Sequence, residues 1–99
     1  MTDDNASAVT VLIEIHAKDG AEQEARDALV HAIETSVKPG FLGSRVYADL
    51  TDPGAFYSVQ QWESARAFHA HMAEAREGMA EATSMLSRPP RTTVLSHIA

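Results

Sequence analysis

The residues able to do chemistry in this 99-residue chain cluster in one stretch. Trp62 is followed nine positions later by His71. An imidazole titrates near neutral pH, so His71 is the best acid/base candidate. Trp62 offers a flat wall to an aromatic molecule and one indole N–H donor. Tyr57 and Tyr47 can each donate a hydrogen bond to a phenolate, and Phe68 and Met72 add apolar or polarizable surface on the same helical stretch as His71. Each residue also fits a plainer role. Trp62 suits a core anchor at a strand–helix corner, His71 a half-buried helix histidine, and the tyrosines sheet packing. Met72, Met79 and Met85 fit core filling first and a ligand lining second. No metal site is expected. His69 and His71 are two apart, which on a helix separates them by about 200°, and the chain has no cysteine. Disulfides, thiolate metal sites and cysteine nucleophiles are thereby excluded.

Composition narrows the partners. Eight Lys and Arg against fourteen Asp and Glu give a formal charge of -6. Such a surface repels nucleic acid and anionic membranes. The 44% hydrophobic and 22% charged residues are those of a folded globule rather than a disordered chain. No apolar run has the length of a bilayer span. Residues 1–7 read as a polar, acidic leader, unlike a signal peptide, and residues 8–99 as one domain. A cytoplasmic location follows as the expectation.

The elements that must position these groups are legible from periodicity. Residues 8–17 alternate Val9, Val11, Ile13 and Ile15 with a mixed set that includes Glu14 and His16, as in a strand buried on one face. A Glu on that mixed face needs a partner, for which Arg45 and His97 are candidates. Residues 20–37 place Ala21, Ala25, Ala28, Leu29, Ala32, Ile33 and Val37 at helical spacing, with Asp19 three residues before Glu22 as in a capping box. His31 falls on the outer side. Lys38-Pro39-Gly40 ends that helix. Residues 41–50 form a second strand with Leu42, Val46, Ala48 and Leu50 on one face and Phe41, Arg45 and Tyr47 on the other. Thr51-Asp52-Pro53-Gly54 is a turn, so residues 56–62 complete a hairpin. Ser64 is placed to cap a second helix with the stripe Ala65, Phe68, Met72 and Ala75, broken or kinked at Gly78 and followed by a segment to Leu86. Residues 92–98 supply the last strand.

The order β-α-β-β-α-β predicts an α+β, ferredoxin-like fold: a four-stranded antiparallel sheet, first and third strands central, helices on one face. The other face carries Leu12, Phe41, Tyr47 and Leu95, or the alternate set. Either set is too apolar to stay wet, so two sheets should pack face to face as a homodimer, a dimeric α+β barrel. A cavity between sheet and helices, reached by Trp62 and His71 and lined by Phe68 and Met72, is expected.

Tyr57-Ser58-Val59-Gln60-Gln61-Trp62-Glu63-Ser64, with His71 in the following helix, resembles the antibiotic biosynthesis monooxygenase domain family. Asp19-Gly20 and Pro39-Gly40-Phe41-Leu42-Gly43 match as well, and the likeness spans roughly residues 8–98. It implies a homodimeric α+β barrel and a family holding cofactor-free oxygenases of aromatic polyketides, quinol oxygenases and haem-degrading enzymes. The resemblance further implies an Asn near the site. The sole Asn here is Asn5, and Ser58 stands four residues before Trp62 as a shorter hydrogen-bonding group. Haem is disfavoured, since residues 72–86 hold no His. The implied activity is a cofactor-independent monooxygenase: a phenol, anthrone or quinol is deprotonated in a dry pocket and its anion reduces O2. The alternative is a non-catalytic barrel that binds a small apolar ligand or acts as an accessory protein. Fold alone does not choose between them.

Overall fold

Residue alternation and helical periodicity produce the elements in the expected order: β1 (Val9–His16), α1 (Glu22–Thr35), β2 (Phe41–Ala48), β3 (Ala55–Trp62), α2 (Ala65–Ala82), a 3-10 turn at Thr83–Met85, and β4 (Arg91–Leu95). The computed structural model describes residues 7–35 and 38–99, with 33–35 and 76–82 described in backbone only. The leader expected at residues 1–7 therefore lies, apart from Ser7, outside the described residues. So do Val37 and the side chains of Ile33, Met79 and Ala82.

The sheet runs β2-β3-β1-β4 with β1 and β3 at its centre, and every pair is antiparallel. Both helices follow right-handed crossover logic and cover one face, the ferredoxin-like arrangement. Two clusters join helices to sheet. Val9, Val11 and Trp62 pack on Ala65 and Phe68 of α2, and Ala17 and Phe56 pack on Ala25 of α1. No helix among the described residues is long and apolar enough to cross a membrane.

Local chemistry sets the boundaries. Ser64 caps α2 as expected, its Oγ accepting the Ala67 N–H at 3.0 Å. Asp19 is not the mirror-image cap of α1. The Gly20 N–H donates instead to the Glu22 carboxylate at 3.1 Å, and the Ala21 N–H to the Lys18 carbonyl at 2.9 Å. Gly78 does not break α2, which runs through it to Ala82. One helical glycine costs only about 1 kcal/mol relative to Ala, less than the packing of the stripe before it supplies. The last strand ends at Leu95, short of the expected Ile98, which is 94% exposed.

The register corrects the face assignment of β2. Phe41 pairs with Trp62, yet Gly43 pairs with Gln61, so the ladder slips between them and Leu42 is the extra residue, 62% exposed. A bulge of this kind reverses the alternation. Phe41 therefore joins the helix-covered face, its ring 5.2 Å from that of Trp62 in edge contact, rather than the face of Arg45 and Tyr47. The open face carries Leu12, Tyr47, Val59 and Leu95, interspersed with Thr10, Glu14, Arg45 and Arg91. Glu14 lies across from Tyr57 on one side and Arg91 on the other, so neither Arg45 nor His97 is its neighbour in the ladder.

The turn before β2 is held between both halves of the fold. The Phe41 N–H donates to the Lys38 carbonyl at 3.1 Å, and the Glu63 N–H to the Gly40 carbonyl at 2.8 Å. Gly40 has φ +80°, and a Cβ there would lie 2.5 Å from the Cβ of Ala67. Gly40→Ala should cost about 2–5 kcal/mol, combining left-handed strain of about 1–2 with overpacking of about 1–3. Gly20 has φ +87° with nothing within 4 Å, so Gly20→Ala should show the strain alone, about 1–2 kcal/mol. Urea unfolding of the two variants checks this; equal losses would contradict the close approach at Gly40.

Candidate functional site

Small side chains on α1 create the cavity. Ala25, Ala28 and Ala32 face the sheet where larger residues would reach it, and among the described side chains of α1 only Leu29 intrudes. Opposite them, α2 presents His71, Met72 and Ala75, and the sheet presents Ile13, Ile15 and Gln60. Met85, Leu86 and Pro90 close the far end. That end is tied to β1 by the Lys18 N–H to Met85 carbonyl bond (2.9 Å), the Ser87 N–H to His16 carbonyl bond (2.8 Å) and the Ala17–Leu86 bridge. The cavity holds about 240 Å3, and among the described residues its polar lining side chains are Gln60, His71 and Thr83. Ala28 and Ala32 are exposed, so it opens to solvent along α1.

Trp62 stands behind this cavity rather than in its wall. It is wholly buried, in edge contact with Phe41 and Phe68 and stacked on His71 with ring centroids 5.3 Å apart at 27°. Its indole N–H donates to Oε1 of Gln60 at 2.9 Å, and Nε2 of Gln60 donates to Oγ of Ser58 at 3.3 Å. An indole nitrogen only donates, so the Gln60 amide must turn its oxygen to Trp62 and its nitrogen to Ser58. One Gln60 N–H remains to serve the cavity. Trp62 thus orients two lining groups, the Gln60 amide by a hydrogen bond and the His71 ring by stacking.

Of the residues expected in the site, His71 and Met72 line the cavity, as does Met85. Phe68 is 2% exposed and packs beneath Trp62, outside the lining. Ser58 is buried and lines a smaller pocket of about 50 Å3, which shares Leu29, Ala32 and Gln60 with the main cavity. Tyr57 is the exception to the grouping. It alternates to the open face of the sheet, and its hydroxyl donates to Asp49 Oδ2 at 2.8 Å. Asp49 also accepts the N–H groups of Thr51 and Asp52 and the Thr51 hydroxyl, which clamps the hairpin turn. These bonds, led by that of the Thr51 N–H, hold the Asp49 carboxyl down at about 2. The Tyr57 phenol is pushed up, first by donating to Asp49, and serves the turn. Gln60 was overlooked by the sequence reading, although period-2 alternation from Trp62 places it on the same face.

His71 is half-buried, and its pKa is lowered below the ordinary histidine value, first by desolvation and then by the positive charge of Lys38, against an opposing pull from Glu74. A neutral imidazole at the edge of an apolar cavity is the state a proton acceptor needs. Among the described residues no three His, Asp or Glu side chains converge as a metal centre would.

The chain resembles solved structures over nearly its whole length. An antibiotic biosynthesis monooxygenase crystal structure aligns with TM-score 0.78 and 17% identity, covering 92% of this chain and 99% of that one. The Rv0793 protein of Mycobacterium tuberculosis aligns with TM-score 0.80 and 22% identity over 94% and 97%. The PA3566 protein of Pseudomonas aeruginosa aligns with TM-score 0.72 and 21% identity over 98% and 100%. At these identities the likeness establishes the fold. A comparison with curated proteins finds no match. The sequence profile of antibiotic biosynthesis monooxygenases, in contrast, matches residues 8–80, from β1 through most of α2 and so across Gln60, Trp62 and His71. The chain belongs to the antibiotic biosynthesis monooxygenase family.

Proposed function

We propose that the protein is a monooxygenase that oxidises a small aromatic phenol, anthrone or quinol with O2, with its own side chains supplying the acid–base chemistry. The observation that carries this reading is His71, its imidazolium disfavoured and its ring stacked on buried Trp62, beside a nearly apolar cavity into which Gln60 turns an oriented amide. At an interior packing density of about 0.75, a cavity of about 240 Å3 takes roughly 180 Å3 of molecule, enough for two fused rings and too little for four.

The steps balance for a naphthol. His71 takes the hydroxyl proton, and the Gln60 N–H steadies the oxyanion. The anion gives one electron to O2, and the radical pair joins at a ring carbon to form a C–O–O bond. The imidazolium returns its proton to the peroxide. That carbon then loses its hydrogen as a proton while the O–O bond breaks, which leaves a carbonyl and releases water. Naphthol and O2 thereby give naphthoquinone and water. With the rings of a ligand filling the opening along α1, the apolar walls of Ile13, Ile15, Leu29 and Met72 leave little water around the reacting oxygen and raise the worth of each polar contact.

The same reading includes a homodimer formed through the open sheet face. Tyr47 and Leu95 are 49% and 41% exposed there, beside Leu12 and Val59. Sedimentation at low micromolar concentration should give about twice the chain mass of 10.7 kDa; a clean monomer would remove the barrel.

Oxygen uptake with naphthols, anthrones and quinols in metal-free buffer tests the activity. Uptake matched one-to-one by carbonyl product is the expected result. Tight binding without uptake would favour the binding-module reading instead. His71→Ala should slow turnover about 10^2- to 10^4-fold with the fold retained, while Tyr57→Phe should leave turnover unchanged and lower stability by about 0.5–1.5 kcal/mol. The rate should rise with pH as His71 loses its proton, with its midpoint on the acid side of an ordinary histidine, because the folded protein disfavours the imidazolium. Lys38→Met removes one of the two lowering influences, so its profile should move to higher pH. A profile that instead follows the phenolic pKa of each substrate, with His71→Ala active, would remove His71 from the chemistry.

A further inference from the structure

The smaller pocket beside the main cavity has a composition of its own. Among the described residues its polar side chains are Lys38, Ser44, Ser58 and Gln60, and Leu29, Ala32, Phe41 and Val46 line it with them. All four polar residues can donate a hydrogen bond and none is a carboxylate. In a chain with fourteen acidic residues and a formal charge of -6, a pocket whose described lining carries a lysine and no acid is a local reversal of sign. Lys38 is held there by structure. Its carbonyl is fixed by the Phe41 N–H at the Gly40 turn, and its ammonium lies 5.2 Å from the centroid of the Phe41 ring. Among the described residues no carboxylate comes within 4.0 Å of that ammonium to form an ion pair, although Glu63 and Glu74 border the neighbouring surface groove with it. Ser58 already accepts from Gln60, which leaves its own hydroxyl hydrogen to donate.

We infer that Lys38, with Ser44, Ser58 and Gln60, forms an anion subsite that takes the ionised oxygen of a ligand whose rings occupy the main cavity. The inference rests on the main cavity being the ligand site proposed above. Size supports the division of labour. About 50 Å3 admits an oxygen substituent with a bound water, whose share of liquid volume is about 30 Å3, but not a ring. Leu29, Ala32 and Gln60 belong to both walls, so a planar molecule in the larger space can project one substituent into the smaller. Burial already lowers the Lys38 pKa, the mark of an ammonium that a bound anion would relieve. The ligand class is therefore a compact fused-ring aromatic with one ionised oxygen, such as a phenolate, in preference to a neutral hydrocarbon of equal size.

Two electron-poor probes that do not reduce O2 test this by calorimetry: 4-nitro-1-naphthol, ionised at the working pH, and 1-nitronaphthalene, its neutral counterpart. Wild-type protein should prefer the anion by about 10- to 100-fold, the range of a hydrogen bond to a charged group. Lys38→Met should abolish that preference without weakening the neutral probe, and Lys38→Arg should restore most of it. Equal affinity for the two probes in wild type, or a preference that survives Lys38→Met, overturns the subsite. Failure of both probes to bind overturns it together with the reading of the cavity. A Lys38-dependent preference in a protein that turns over no phenol sustains the subsite and sinks only the oxygenase reading. Turnover of naphthols with no such preference does the reverse.

Discussion

A buried indole must find an acceptor for its N–H, and that requirement organises this molecule. Trp62 sits at the end of β3 with none of its surface exposed, where β2, β3 and α2 meet. Leaving its N–H unpaired there would cost about 1–3 kcal/mol. The acceptor within reach on the same face is Gln60, two residues back along the strand. Satisfying the indole therefore fixes an amide in the cavity wall, and the amide in turn fixes Ser58. The indole face supports His71 from the other side. A demand of core packing thus orients the polar groups of the site, and Trp62 does so without touching the cavity.

The two helices divide the remaining work. Phe68 and Ala65 fill the space under Trp62, so the α2 end of the sandwich is close-packed. The alanines of α1 leave the other part unfilled, and an apolar void of this size forfeits contacts that packed side chains would make. Met72 and Met85 border it, and their flexible thioethers can adjust to an occupant. The void is thus a local loss of stability, of the kind that filling it would offset. The hydrogen bonds from Lys18 and Ser87 at the far end keep Met85 and Leu86 in place while the void stands open.

Much of this was legible in the residues. The order of elements, the central strands and the Ser64 cap follow from alternation, turn chemistry and helical spacing. What failed did so for local reasons. The extra residue at Leu42 reversed the faces of β2, because alternation carries no warning of a bulge and hid that Phe41 belongs with Trp62. Tyr57 was grouped with Ser58 by chemical type, although adjacent strand residues point to opposite faces. Counting by twos from Trp62 would have excluded Tyr57 and found Gln60. The alanine stripe of α1 was visible as helical periodicity, but whether small residues produce closer packing or a cavity depends on the helix–sheet distance, which the pattern does not encode. Lys38 read only as part of a helix stop, since its nearness to Ser58 arises from the Gly40 turn folding against the start of α2.

The central claim is that Trp62 acts on the chemistry through Gln60. A double-mutant cycle on kcat/KM for naphthol-dependent oxygen uptake, with Trp62→Phe and Gln60→Met, tests it most directly. Trp62→Phe keeps a ring in the core and removes the N–H; Gln60→Met keeps the volume and removes the amide. Each change alone should lower kcat/KM about tenfold or more, and the two together should lower it no further than the worse single change, a coupling of about 1–2 kcal/mol. Losses that multiply independently, or a Gln60→Met protein as active as wild type, would contradict the account.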